Sequence, residues 1–220
     1  GIQILRAVAA LCVVFRHAGK EAIDPNSFPI GQFGVDIFFV ISGIVIYRTG
    51  RNLDWHVFFR RRLARVVPMY WLVLLLHLAV SIATHDGTLR GATGITNAVA
   101  GFFVIPAFDV EGNIFPPVVP GWSLNYELYF YVVCTFVLAL VPRHRFLPAV
   151  CAVIAGMIVV MLPWTAAPAR SLGFAPLVLF LPLSLEFVAG MILAHLYERG
   201  FRTGMPVNAV LLASALVWLF

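Results

Sequence analysis

The chain has 220 residues, of which 61% are apolar and only 11% charged, and its mean hydropathy is +0.95. Soluble domains carry about 25% charged residues, so these figures exclude an ordinary soluble globule and indicate a multi-pass membrane protein. The net charge of +5 would suggest a nucleic-acid partner in a soluble protein. Here most of the arginines, with Lys20, fall in the loops between apolar segments, so they report membrane topology instead. Cys12, Cys134 and Cys151 all lie in apolar stretches, which argues for small buried hydrophobes rather than a disulfide framework or a metal site.

The first apolar stretch, Ile2 to Ala18, carries Arg6 and His17. Their spacing brings a guanidinium and an imidazole to within about 20° on one helix face, separated by roughly 16 Å of rise. Ala10 and Val13 are expected in the same stripe. Either residue alone could snorkel to its nearer interface, but ionisable groups within a span point to function. The stretch lacks the basic n-region and cleavage site of a signal peptide. The chain begins at Gly1 inside one apolar segment and ends at Phe220 inside another, and reads as a single membrane domain, 1–220, truncated at both ends.

Further segments of spanning length fall at 34–50, 67–84, 122–141, 146–164, 177–197 and from 207 onward. The expected fold is thus an all-α polytopic transmembrane bundle with seven to eight spans present. Arg48, Arg51, Arg60, Arg61, Arg62, Arg65, Arg143, Arg145, Arg199 and Arg202 occupy one set of loops, against Lys20, Arg90 and Arg170 in the other. The positive-inside rule makes the first set cytoplasmic. Arg6 then lies in the inner half of the first span and His17 near its outer end. Glu21, Asp24, Asp86, Asp109 and Glu111 gather on the outer side. Segment 95–105 is too short to cross and is expected as a re-entrant or interfacial helix within the outer loop.

Three constellations could carry chemistry. In FFRRRLARVVPMY, residues 58–70, Arg61, Arg62 and Arg65 share roughly one side of a short cytoplasmic helix, and Pro68 is expected to start the next span. Arginines there can simply touch anionic lipid, or clamp a phosphate-rich ligand such as coenzyme A. In FGVDIFFVISG, residues 33–43, Asp36 stands at the entrance of the second span. It could orient the His17 imidazole as a general base requires, or cap the helix start. Gly34 and Gly43 read as close-packing positions. In PGWSLNYELYFY, residues 120–131, Trp122 suits the interface, while Ser123 and Glu127 share a face. Glu127 lies deep enough to need a partner, either His17 or an arginine. Glu186 is a further intramembrane acid, expected to hydrogen-bond between helices.

Together RAVAALCVVFRH, FGVDIFFVISG, the arginine motif (Phe58, Arg61, Arg62, Arg65, Pro68, Tyr70) and WSLNYE resemble the acyltransferase-3 family of integral membrane acyltransferases, in order and spacing as far as Glu127. The remainder is similar only in hydropathy. The resemblance implies about ten spans and transfer of an acyl group, often acetyl, from cytoplasmic acyl-CoA to a hydroxyl of an extracytoplasmic carbohydrate. It implies His17 as the catalytic residue, acting as general base on the acceptor hydroxyl or as a covalent acyl carrier, supported by Glu127 or Asp36. It implies donor binding by Arg6, Arg62 and Arg65, with Arg61, Trp122 and Ser123 alongside. No cofactor beyond the co-substrate acyl-CoA is expected, and the location is the bacterial inner membrane. A polytopic transporter or exporter of a glycan or acyl donor would use similar midplane ionisable residues, and a membrane sensor or scaffold would lack acyl-CoA binding altogether.

Overall fold

A computed structural model describes residues 2–22, 30–109, 116–161 and 181–201. Among them all regular structure is helical: α1 Ile2–Ala22, α2 Ile30–Val45 prolonged by a π-helical turn Ile46–Gly50, α3 Trp55–Thr84, α4 Gly91–Phe102, α5 Trp122–Leu140, α6 Phe146–Met161 and α7 Leu181–Glu198. Three stretches among the described residues are long and apolar enough to cross a membrane: Trp55–Thr84, Trp122–Leu140 and Arg143–Met161. The apolar part of α1, Ile2–Phe15, is shorter. The segment expected from 207 onward, and Asp24, Glu111, Arg170 and Arg202, lie outside the described residues.

The chain divides into two compact units, 1–50 with 186–220, and 51–185. In the first, α1 packs along α2, with Ala9 fully buried. The end of α2 meets α7 through reciprocal glycines. A Cβ on Gly43 would strike the Phe187 carbonyl, and one on Gly190 would strike the Val40 carbonyl. Small residues let helix backbones approach this closely, and the Phe39 and Phe187 rings, 4.7 Å apart, fill the space beside them. At the π-helical turn, Tyr47 Oη and His195 Nδ1 are hydrogen-bonded at 2.6 Å.

The second unit is built on α3 and α5. The arginine segment and the span that follows are one 30-residue helix, which corrects the expectation of a short helix ending at Pro68. Pro68 is exposed, so its ring and the carbonyl it leaves without an N–H partner face away from the packed side. At the exit of α3, His85 takes a left-handed conformation with φ 53°. Asp86 Oδ1 there accepts the Ser81 hydroxyl at 2.5 Å and the Thr88 N–H at 2.9 Å. Those hydrogen bonds, Ser81's first, hold its carboxyl below the usual range.

The segment expected at 95–105 is a genuine short helix, α4, which starts at Gly91 and ends at Phe102, somewhat nearer the N-terminus. It is tied to α3 by the Trp71 indole N–H donating to the Phe102 carbonyl at 2.8 Å. The residue Val104 that follows is buried with φ 54°, a strained conformation for a β-branched side chain. It packs against Tyr70 and Leu74. On the other flank α6 buries Phe146, Val150 and Ile154, one face at four-residue spacing, and Tyr129 of α5 donates to Met157 Sδ at 2.6 Å. The beginning of α3 and the turn before α6 are joined by an exposed Arg143–Asp54 ion pair at 2.8 Å.

Candidate functional site

Phe58, Arg62, Tyr70 and Leu74 are buried on α3 at spacings of four and eight residues, which places them along one face. Arg62 is thereby drawn into the α3–α5 interface with 9% exposure, while Arg60, Arg61 and Arg65 remain exposed. Helical phase explains the split: neighbours in sequence are about 100° apart, so a single guanidinium of the run faces α5. A buried guanidinium needs compensation. Its carbon lies 5.4 Å from the Phe58 ring centroid and 5.8 Å from that of Tyr131, within cation–π range. The two rings meet edge to face at 6.3 Å.

Charge balance comes from α5. Ser123, Glu127 and Tyr131 recur every four residues and share a stripe. The Tyr131 hydroxyl donates to Glu127 Oε1, and Glu127 attracts Arg62 electrostatically, whereas Arg65 repels it. Of the two partners considered for Glu127 from sequence, the arginine is thus brought within its field. Tyr131 was not singled out from sequence; its position one turn after Glu127 is the signal that could have found it. Trp122 caps the same helix edge-to-face with Tyr126, centroids 5.6 Å apart.

Beyond this cluster, toward the start of α5, Tyr70 is 5% exposed and Asn125 6%. A Cβ on Gly121 would come within 2.7 Å of the Tyr70 ring, so glycine is what lets the α5 N-terminus lie on that ring. Tyr70 Oη and Asn125 Oδ1 have no hydrogen-bond partner among the described residues.

In the first unit, α1 places Arg6 and His17 eleven residues apart on one helix. The side chain of His17 lies outside the described residues. Arg6 is half-buried and engaged by a neighbour. The α1 face that meets Gly34 consists of Ala9, Cys12 and Val13; Ala10, expected in the stripe, is exposed, because the α2 contact lies on the other side of the Arg6 line. Asp36 sits in the second turn of α2, six residues past Ile30, too deep to cap that helix. Its carboxylate acts electrostatically on Glu186 of α7. Glu186 was expected to bond between helices, but its Oε2 is buried without a hydrogen-bond partner among the described residues. The neighbour that α2 offers is another acid.

The acyltransferase-domain family model, acyltransferase-3, matches residues 1–220. Over 213 residues the chain is 33% identical to the exopolysaccharide production protein ExoZ of Rhizobium meliloti (strain 1021), covering 91% of this chain and 61% of the relative. It is 28% identical over 236 residues to acyltransferase MdmB of Streptomyces mycarofaciens, covering 96% and 61%. To the peptidoglycan O-acetyltransferase OatA of Listeria monocytogenes serovar 1/2a (strain ATCC BAA-679 / EGD-e) it is 29% identical over 150 residues, covering 60% and 23%. The chain therefore spans about three fifths of the length of the first two relatives. No solved structure matches it. By the family model, over its whole length, this chain belongs to the acyltransferase-3 family.

Proposed function

We propose that the chain is the core of a multi-pass membrane O-acyltransferase that moves an acyl group, acetyl in the simplest case, from cytoplasmic acyl-CoA to a hydroxyl of an extracytoplasmic carbohydrate. The observation that carries the reading is Arg62, buried between two rings and beside Glu127, with exposed Arg61 and Arg65 on the same helix, in a chain of this family. The Arg143–Asp54 pair supports the topology, since it joins two loops assigned to the cytoplasm by their arginines. The names of the relatives, an exopolysaccharide production protein and a peptidoglycan O-acetyltransferase, favour a carbohydrate acceptor.

In this reading Arg62 and Arg65 hold the donor's phosphates, Arg61 adds to their field, and Arg6 serves the same anion. Planar guanidinium groups suit phosphate oxygens, and fixing Arg62 in advance lowers the ordering cost of binding. Trp122 and Ser123 line the acceptor end of α5. His17 is the general base: it takes the proton of the acceptor hydroxyl as the oxygen attacks the thioester carbonyl, the C–S bond breaks, and the proton passes to the departing thiolate. Asp36 or Glu127 holds the imidazole oriented.

Purified protein in detergent, given acetyl-labelled acetyl-CoA and a carbohydrate acceptor, should form a labelled ester. His17→Ala should lower that rate by about 10²–10⁴-fold without altering the melting temperature. Transfer at the wild-type rate by a normally inserted His17→Ala protein would overturn the assignment.

A further inference from the structure

The α3–α5 interface holds two polar atoms that the roles above leave unused. Tyr70 Oη and Asn125 Oδ1 are buried and have no hydrogen-bond partner among the described residues, on side chains only 5% and 6% exposed. A buried polar group left unsatisfied costs about 1–3 kcal/mol, so a pair of them in one interface requires an explanation. They belong to one locality. Gly121 lies against the Tyr70 ring, Asn125 follows Gly121 by one helical turn, and Leu124 packs on the cluster of Tyr70, Leu74 and Val104.

Their surroundings restrict what they can receive. Phe102, Val104, Val118, Leu124 and Leu128 pack with Tyr70, and the two leftover atoms are one hydroxyl that can donate and one carbonyl that can accept. That is the complement of a single secondary amide, whose C=O accepts from Tyr70 and whose N–H donates to Asn125. Tyr70 follows Arg62 by eight residues on α3, a rise of about 12 Å along the helix. A donor whose phosphates sit on Arg62 and Arg65 extends an amide-bearing arm between its pyrophosphate and its thioester. We propose that Tyr70 and Asn125 form the subsite for an amide of that pantetheine arm. The inference rests on acyl-CoA being the donor.

Tyr70→Phe and Asn125→Leu remove the polar atoms with little change of volume. Tyr70→Phe deletes only an atom that has no partner among the described residues, so it should not lower the melting temperature, whereas loss of a structural hydrogen bond would. Each should raise the KM for acetyl-CoA about tenfold, equivalent to about 1.4 kcal/mol, and leave the KM for the carbohydrate unchanged. With a short acetyl thioester that lacks the amide, both variants should match wild type. A rise in the carbohydrate KM alone would make the pair an acceptor contact and overturn the proposal, as would unchanged kinetics with every donor, the result expected if only water fills the gap. If Asn125→Leu fails to insert, Tyr70→Phe decides by the same readouts. Should the wild-type protein bind no acetyl-CoA by calorimetry, the donor reading itself falls and this inference with it. Wild-type binding with unaffected variants removes the inference alone.

Discussion

At the α2–α7 crossing, backbone meets backbone: Gly43 and Gly190 each lie on a carbonyl of the opposite helix. Between α3 and α5 the interface is filled instead by large side chains, Phe58, Tyr131 and the Arg62 guanidinium. The first arrangement gains dispersion contacts and tolerates no added atom. The second tolerates a charge, provided that rings and an acid compensate it. The acids follow the same division. Glu127 shares its surroundings with Arg62 and receives the Tyr131 hydroxyl, whereas Glu186 lies within the electrostatic reach of Asp36. One crossing is therefore specified by shape and the other by charge, and substitutions should separate the two.

The largest effect is expected at the charged interface. Arg62→Ala removes the buried guanidinium from between the Phe58 and Tyr131 rings and from the field of Glu127, and should lower the melting temperature in detergent together with loss of acetyl transfer. Arg65→Ala, at an exposed position, should leave the melting temperature in place and raise the KM for acetyl-CoA. Equal melting temperatures for the two variants would contradict the distinction between them.

At the glycine crossing, Gly43→Ala should destabilise by about 1–3 kcal/mol through overpacking. Gly156→Ala is the control, since a Cβ there meets nothing within 4 Å, and an indistinguishable pair of melts would argue against the close approach. A smaller loss, about 1 kcal/mol, should follow Tyr47→Phe, which removes the hydrogen bond to His195; full retention of stability would show that bond to be idle.

The smallest effect belongs to the turn after α3. Asp86 has its folded pKa depressed by Ser81 and Thr88. Its contribution is present above the unfolded carboxylate range and is lost as pH falls through the lower folded value. Amide exchange at Thr88 should speed up on acidification in the wild type, and Asp86→Asn should flatten that dependence. An unaltered pH profile in the variant would count against the turn's carboxylate.

Much of this was legible along the chain, and the misses have physical causes. Helix positions followed from apolar runs between charged loops, because length and hydropathy are local properties. The break at Pro68 was wrongly expected because proline's cost depends on which side of the helix it lies. A spacing argument could place Arg61, Arg62 and Arg65 on a broad common side, yet burial is decided within a narrower sector, and only Arg62 falls in it. Tyr70 lay inside a quoted motif and Asn125 between two singled-out residues, but an unsatisfied atom is a property of neighbours and has no sequence signal. Glu186 is expected to have a partner on the general rule that buried acids have one; no rule of spacing could show that Asp36 lies within its electrostatic reach.

The sequence by itself determined the helical class, the membrane-length apolar runs, the arginine distribution and the motifs of an acyltransferase-3 protein, since each depends on composition or on spacing within one segment. Tertiary structure alone decided which arginine is buried, which acid stands beside it, where backbones touch through glycine, and which polar atoms are left over. Those outcomes depend on the rotation of one helix against another, and a difference of about 100°, a single residue's step, exchanges an exposed guanidinium for a buried one.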